Sequence, residues 1–201
     1  MRRRALAGVL LALAFSAGAQ EGERRDAAAQ LMDELVLAKD VGGDFTLTDA
    51  RGRTRSLHDF RGKVVALYFG FTTCPDICPT DLLALGQAIK DLGKDGRAIQ
   101  PLFVTLDPAR DKPAVIAEYA RNFHPDFVAL TGTEAEVANV ARLYKVFHRK
   151  VPVKGASGYT IDHSAFTYVI DRQGKYVGFI PPGTPRDKIA RILHAEVRSA
   201  P

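Results

Sequence analysis

The sequence predicts an α/β domain in which helices cover both faces of a central mixed β-sheet, and three observations predict it. Two uncharged eight-residue runs, Val64–Phe71 and Ile99–Leu106, are rich in β-branched and aromatic residues, as strands buried on both faces are. Stretches with apolar residues at helical spacing separate these and later strands, and that alternation implies right-handed crossovers onto one sheet. A length of 201 residues, 46% hydrophobic and 25% charged, suits one globular domain with a targeting segment in front.

The chain opens on Arg2-Arg3-Arg4, the apolar run Ala5–Phe15 and the small residues Ala17-Gly18-Ala19. A basic start, a short apolar stretch and an A-x-A ending read as a secretory signal peptide over residues 1–19. Ala5–Gln20 falls short of the roughly 20 apolar residues of a bilayer span, which makes an uncleaved membrane anchor the lesser alternative. Residues 20–40 form a charged, alanine-rich N-terminal segment, and the folded domain occupies 41–201. Export implies an oxidising compartment, a bacterial periplasm, where a thiol pair is a disulfide unless something reduces it. Without the leader's three arginines the formal charge falls from +5 to +2 (25 basic against 23 acidic residues). No basic block with interleaved aromatics remains, which excludes nucleic acid as a partner.

Within the domain, Phe45–Thr48 and Thr54–Leu57 flank Asp49-Ala50-Arg51-Gly52-Arg53, the pattern of an N-terminal β-hairpin extension. Val64–Phe71 is the first buried strand. Asp81–Leu92 sets Leu82, Leu85, Ile89 and Leu92 at helical spacing, and Gly93 ends it. Ile99–Leu106 is the second buried strand. Lys112–Phe123 is a helix opened by Pro113, and Phe127–Leu130 is a short strand. Thr133–Phe147 is a helix begun by a Thr133 and Glu136 capping box, and Arg149–Tyr159 reads as a glycine-bearing loop. Ala165–Ile170 and Tyr176–Ile180 are strands joined by the tight turn Asp171–Gly174, and Pro185–Val197 is the closing helix.

Cys74 and Cys78 are the only cysteines, four positions apart at the end of the first buried strand. A redox pair placed there is a thioredoxin-like arrangement. Two such thiols can open and close a disulfide, or together grip a soft metal ion. A purely stabilising bridge explains them poorly. Closing so short a loop contributes about 2 kcal/mol, against nearly 5 for a loop of about 100 residues. A domain this large builds a full core without it. Pro75 and Pro79 lack amide hydrogens, so the pair cannot occupy interior turns of one regular helix. Pro79 suits the first helical position, which puts Cys78 at or beside the N-cap, where free amides favour its thiolate.

Among five histidines, His58, His124, His148 and His194 lie in polar or helical contexts and read as solvated. His163, in Asp162-His163-Ser164, precedes the later strand where thioredoxin-like proteins carry a proline facing the cysteines. No proline lies between Pro152 and Pro181, so His163 faces the pair instead. Two thiolates and an imidazole suit copper in either oxidation state, and zinc less distinctively. Asp107 follows the second buried strand on the same edge. It reads either as a hydrogen-bond acceptor that tunes that site or orients a partner, or as a cap on the turn into the next helix. Met1 and Met32 are the only methionines, which excludes a methionine-rich copper store.

The segments Phe69–Thr80, Leu106-Asp107-Pro108-Ala109-Arg110-Asp111 and Asp162-His163-Ser164 closely resemble the Sco/SenC copper-chaperone family, over Val41–Val197. The resemblance implies a thioredoxin-like fold that binds one copper ion, Cu(I) or Cu(II), on Cys74, Cys78 and His163. Cys74 and Cys78 would also form a redox-active disulfide. It further implies assembly of the CuA centre of cytochrome c oxidase subunit II, by handing over copper, by reducing that subunit's cysteines, or both. Implied partners are apo subunit II, a periplasmic thiol reductant and other copper chaperones. The chain is read as a monomer and as a carrier, not an enzyme, with a thiol–disulfide oxidoreductase as the alternative. Thr73 stands where many members have histidine, a difference at a non-ligand position that bears on partner recognition.

Overall fold

The computed structural model describes residues 40–153 and 158–199. The expected signal peptide, and the N-terminal segment apart from Asp40, lie outside the described residues. The first half runs β1 (Thr46–Asp49), β2 (Thr54–Ser56), β3 (Val64–Gly70), α1 (Ile77–Asp91), β4 (Ile99–Thr105), α2 (Pro113–Arg121) and β5 (Val128–Thr131). The second runs α3 (Glu134–Leu143), β6 (His148–Pro152), β7 (Tyr159–His163), β8 (Thr167–Ile170), β9 (Tyr176–Ile180) and α4 (Arg186–Arg198).

Seven strands form one sheet in the order β2-β1-β5-β4-β3-β8-β9, and β6 and β7 form a separate pair. Strands β3, β4 and β5 are parallel, connected through α1 and α2, while β1 and β8 join them antiparallel. The sheet is therefore mixed, and the N-terminal hairpin extends it through β1 beside β5. With a cysteine pair directly after a central parallel strand, the fold is thioredoxin-like.

Every residue of β3 and of β4 is buried, which is why both runs carry no charge. Val64, Ala66 and Tyr68 face one side and pack with Leu82, Leu85 and Ile89 of α1, Ile116 of α2 and Leu193 of α4. Phe69, one position out of phase, joins a ring cluster with Tyr144 at 5.8 Å and Tyr168 at 5.7 Å between centroids. Such aromatic pairs contribute about 0.5–1.5 kcal/mol each beyond the area they bury.

Three departures from expectation have local causes. Helix α3 stops at Leu143, because Tyr144 turns into the ring cluster and Lys145 adopts a left-handed φ of 54°. Helix α1 starts at Ile77 with Asp76 as N-cap, so Pro79 is the third helical residue and Cys78 the second. The first turn accepts that proline because its amides have no partner inside the helix. Of the described residues in the stretch expected to be a loop, Arg149–Pro152 and Tyr159 are strand: β6 pairs antiparallel with β7, from His148 opposite His163 to Pro152 opposite Tyr159.

Candidate metal centre

The first turn of α1 carries the Cys78 side chain into the core, where it is 0% exposed. Gly70, the last residue of β3, makes room for it. A Cβ at Gly70 would lie 3.0 Å from Cys78 Sγ and 3.1 Å from the Tyr68 ring. Cys74 stays half-buried at the mouth, its amide donating to the Phe71 carbonyl at 3.2 Å. His163 closes β7, and its Nε2 lies 3.3 Å from Cys78 Sγ. Nδ1 lies 3.0 Å from the carbonyl oxygen of Ser164. A carbonyl only accepts, so Nδ1 donates there, which leaves Nε2 facing the sulfurs. The Phe71 ring stands edge-on to the imidazole at 5.8 Å. The two sulfurs and a ring nitrogen thus lie within 4.8 Å of one another, the one such cluster among the described residues.

The two thiols are unequal. The S–H of Cys78 donates to Cys74 and, against the cost of partial burial, lowers Cys74 from 9.0 to about 4, helped by a hydrogen bond from His163 and by the amides of Asp76 and Cys78. Cys78 is driven the other way, because Cys74 engages its proton and because it is buried. Pairing with Cys74, together with burial, thereby reverses what position beside a helix N-terminus predicts for Cys78: the thiolate belongs to Cys74, outside the helix. Behind Cys78, burial also raises the Tyr68 hydroxyl and the Asp81 carboxyl. Asp81 accepts the Gly183 amide at 2.8 Å.

Asp107 lies in the loop after β4. Its fully buried carboxylate accepts from Arg110 Nε and from the Tyr159 hydroxyl at 2.8 Å, with no hydrogen bond to a cysteine or to His163. Lys112 takes the N-cap position of the following helix, with no side-chain cap. Asp111, to which the sequence reading gave no role, accepts the Thr72 amide at 2.9 Å and the Thr105 hydroxyl at 2.6 Å. A carboxylate just beyond a buried strand was the available signal for it. Of the remaining histidines, His124 is buried rather than solvated and its Nδ1 accepts the Asp126 amide at 3.2 Å. His148 stands across from His163 in register but outside the donor cluster.

Residues 34–198 match the SCO1/SenC family model. A SCO2-like protein of Rickettsia felis is 44% identical over 138 residues, 68% of this chain and 67% of that one. Among solved structures, Bradyrhizobium japonicum ScoI with copper bound has a TM-score of 0.71 at 36% identity, covering 78% of this chain and 99% of that one. Yeast Sco1 with copper bound has a TM-score of 0.72 at 39% identity, covering 81% of this chain and 91% of that one. A family match spanning the cysteine turn, the β4–α2 loop and the histidine strand alike means that the chain belongs to the SCO1/SenC family.

Proposed function

We propose that the protein is an exported, periplasmic copper carrier that delivers one copper ion to the CuA site of cytochrome c oxidase subunit II. The observation that carries this is the convergence of Cys74, Cys78 and His163 donors within 4.8 Å. Two sulfurs and one imidazole nitrogen suit copper, and copper-bound structures of two relatives favour it over zinc. Both cysteines must be reduced to bind, and the proton that Cys78 retains is released when the metal takes its place. Transfer proceeds by exchanging donors one at a time with an acceptor of similar softness.

Copper loading of the reduced protein tests this. Wild type is expected to take up one equivalent and pass it to an apo CuA domain, while Cys74→Ser and Cys78→Ser variants do not. Binding by His163→Ala as tight as wild type overturns the donor set. Loading without transfer overturns delivery.

The Cys74 thiolate favours a second reading, thiol–disulfide exchange on the acceptor's cysteines. Cys74 attacks one sulfur of a client disulfide and displaces the other as a thiolate. Cys78 then gives up its proton and attacks the Cys74 sulfur of the mixed disulfide. The client leaves with both cysteines reduced, and the Cys74–Cys78 disulfide left behind is reduced again by an external thiol. A client trapped on a Cys78→Ser variant supports exchange; copper transfer with no thiol exchange refutes it.

A further inference from the structure

We infer that the loop from Leu106 to Asp111 braces the metal centre from two sides, with Asp111 gripping Thr72 beside the cysteines and Asp107 gripping Tyr159 on the histidine strand. Asp107, Asp111 and Tyr159 are positioning residues, not donors to the metal. The inference rests on the copper reading for its metal readout alone.

Side chains alternate along a strand, so Tyr159, Ile161 and His163 share one face of β7. That face packs down at three points: Ile161 is buried, and Tyr159 and His163 anchor the two ends. The opposite face contributes little. There Arg149–Asp162 is an exposed ion pair, worth about 0–1 kcal/mol. The aim of the His163 imidazole therefore depends on what holds Tyr159.

Four contacts hold it, the first being Lys150 Nζ of β6, 5.1 Å from its ring centre. The Tyr159 hydroxyl donates to Asp107 at 2.8 Å, and its carbonyl accepts Arg110 Nη1 at 2.7 Å. The Arg110 guanidinium also stacks 3.9 Å from the Tyr159 ring centre while its Nε pairs with Asp107. On the other side, Asp111 receives both the amide and the hydroxyl of Thr72, two positions before Cys74, and the hydroxyl of Thr105 at the end of β4. Both carboxylates are almost wholly inaccessible to water. Burying them costs solvation that apolar contacts avoid, and directed hydrogen bonds fix geometry that apolar contacts leave loose.

Tyr159→Phe keeps the ring and its stacking on Arg110 and deletes only the hydroxyl. In the copper-free protein it is expected to leave the circular dichroism spectrum unchanged and to weaken the Overhauser contact between the His163 and Phe71 rings. Loss of Cu(I) to bathocuproine disulfonate is expected to quicken about tenfold, the lower end of the range for groups that orient a ligand. In a His163→Ala background the same substitution is expected to add nothing, since no imidazole remains to be aimed. Thr72→Val, the matching cut on the sulfur side, is expected to quicken copper loss in both backgrounds. Equal effects of Tyr159→Phe with and without His163 overturn the inference, as does an unchanged ring contact or unchanged copper loss in Thr72→Val. A wild type that holds no copper overturns the carrier reading instead, and the ring contact still decides the brace.

Discussion

Raising the pH from 5 to 8 over the reduced, copper-free protein in the presence of iodoacetamide should leave the alkylation rate of Cys74 nearly flat. At pH 5 a thiol of pKa 9.0 is ionised to about one part in ten thousand, whereas Cys74, lowered to about 4, is about nine-tenths ionised. The less basic thiolate is also a weaker nucleophile, by a factor of roughly 100–300 for an acidity difference of about five powers of ten. The net expectation is that Cys74 reacts about 30–100 times faster than an ordinary thiol at pH 5 and about equally fast near pH 7. The shape of the profile is therefore more diagnostic than any single rate. Mass spectrometry of the cysteine peptide reads both sites, and Cys78, with 0% exposure, should remain unmodified. Cys78→Ala removes the donor that contributes the largest single part of the lowering, so the rate should regain a rise with pH. A Cys74 rate that climbs tenfold per pH unit across this range, or alkylation of Cys78 first, refutes the assignment of the thiolate.

Gly70→Ala places a methyl group 3.0 Å from Cys78 Sγ and should destabilise the fold by about 1–3 kcal/mol in urea titration, with faster copper loss. A variant as stable as wild type contradicts the close approach. Thr133→Ala removes the cap in which Thr133 Oγ1 accepts the Glu136 amide at 3.2 Å. It should cost about 0.5–2 kcal/mol in the same titration and leave copper binding intact, because α3 carries no donor. Leu85→Ala, at a core position 1% exposed, should cost about 2–5 kcal/mol, and a smaller loss would mean that α1 packs less tightly than described.

Strands β3 and β4 and the helices after them were legible because burial on both faces leaves uncharged runs, and burial on one face leaves a helical period. Strands β6 and β7 were not. His148, Arg149 and Lys150 carry no apolar alternation, and the pair is held by Tyr159 stacking on Arg110 and by Ile161 packing inward, contacts made far along the chain. The closeness of Cys74 and Cys78 followed from spacing alone, and the convergence of His163 on them followed from the order of strands. Which thiol ionises did not follow, because position at a helix N-terminus favours Cys78 while the hydrogen bond between the two sulfurs and the deeper burial of Cys78, both tertiary properties, decide for Cys74. Asp107 was noticed on the right loop, and its contacts were not foreseen. Its partner Tyr159 lies 52 positions away and had no pattern of its own.

The unequal depth of the two sulfurs gives any handover a direction. An incoming group from another protein meets Cys74 at the rim, while Cys78 lies sealed behind Gly70 and the Tyr68 ring. Cargo seated here must surrender its outer bonds before its innermost one. The anchor no visitor can touch is the last to let go, so the ion leaves by the door through which it entered.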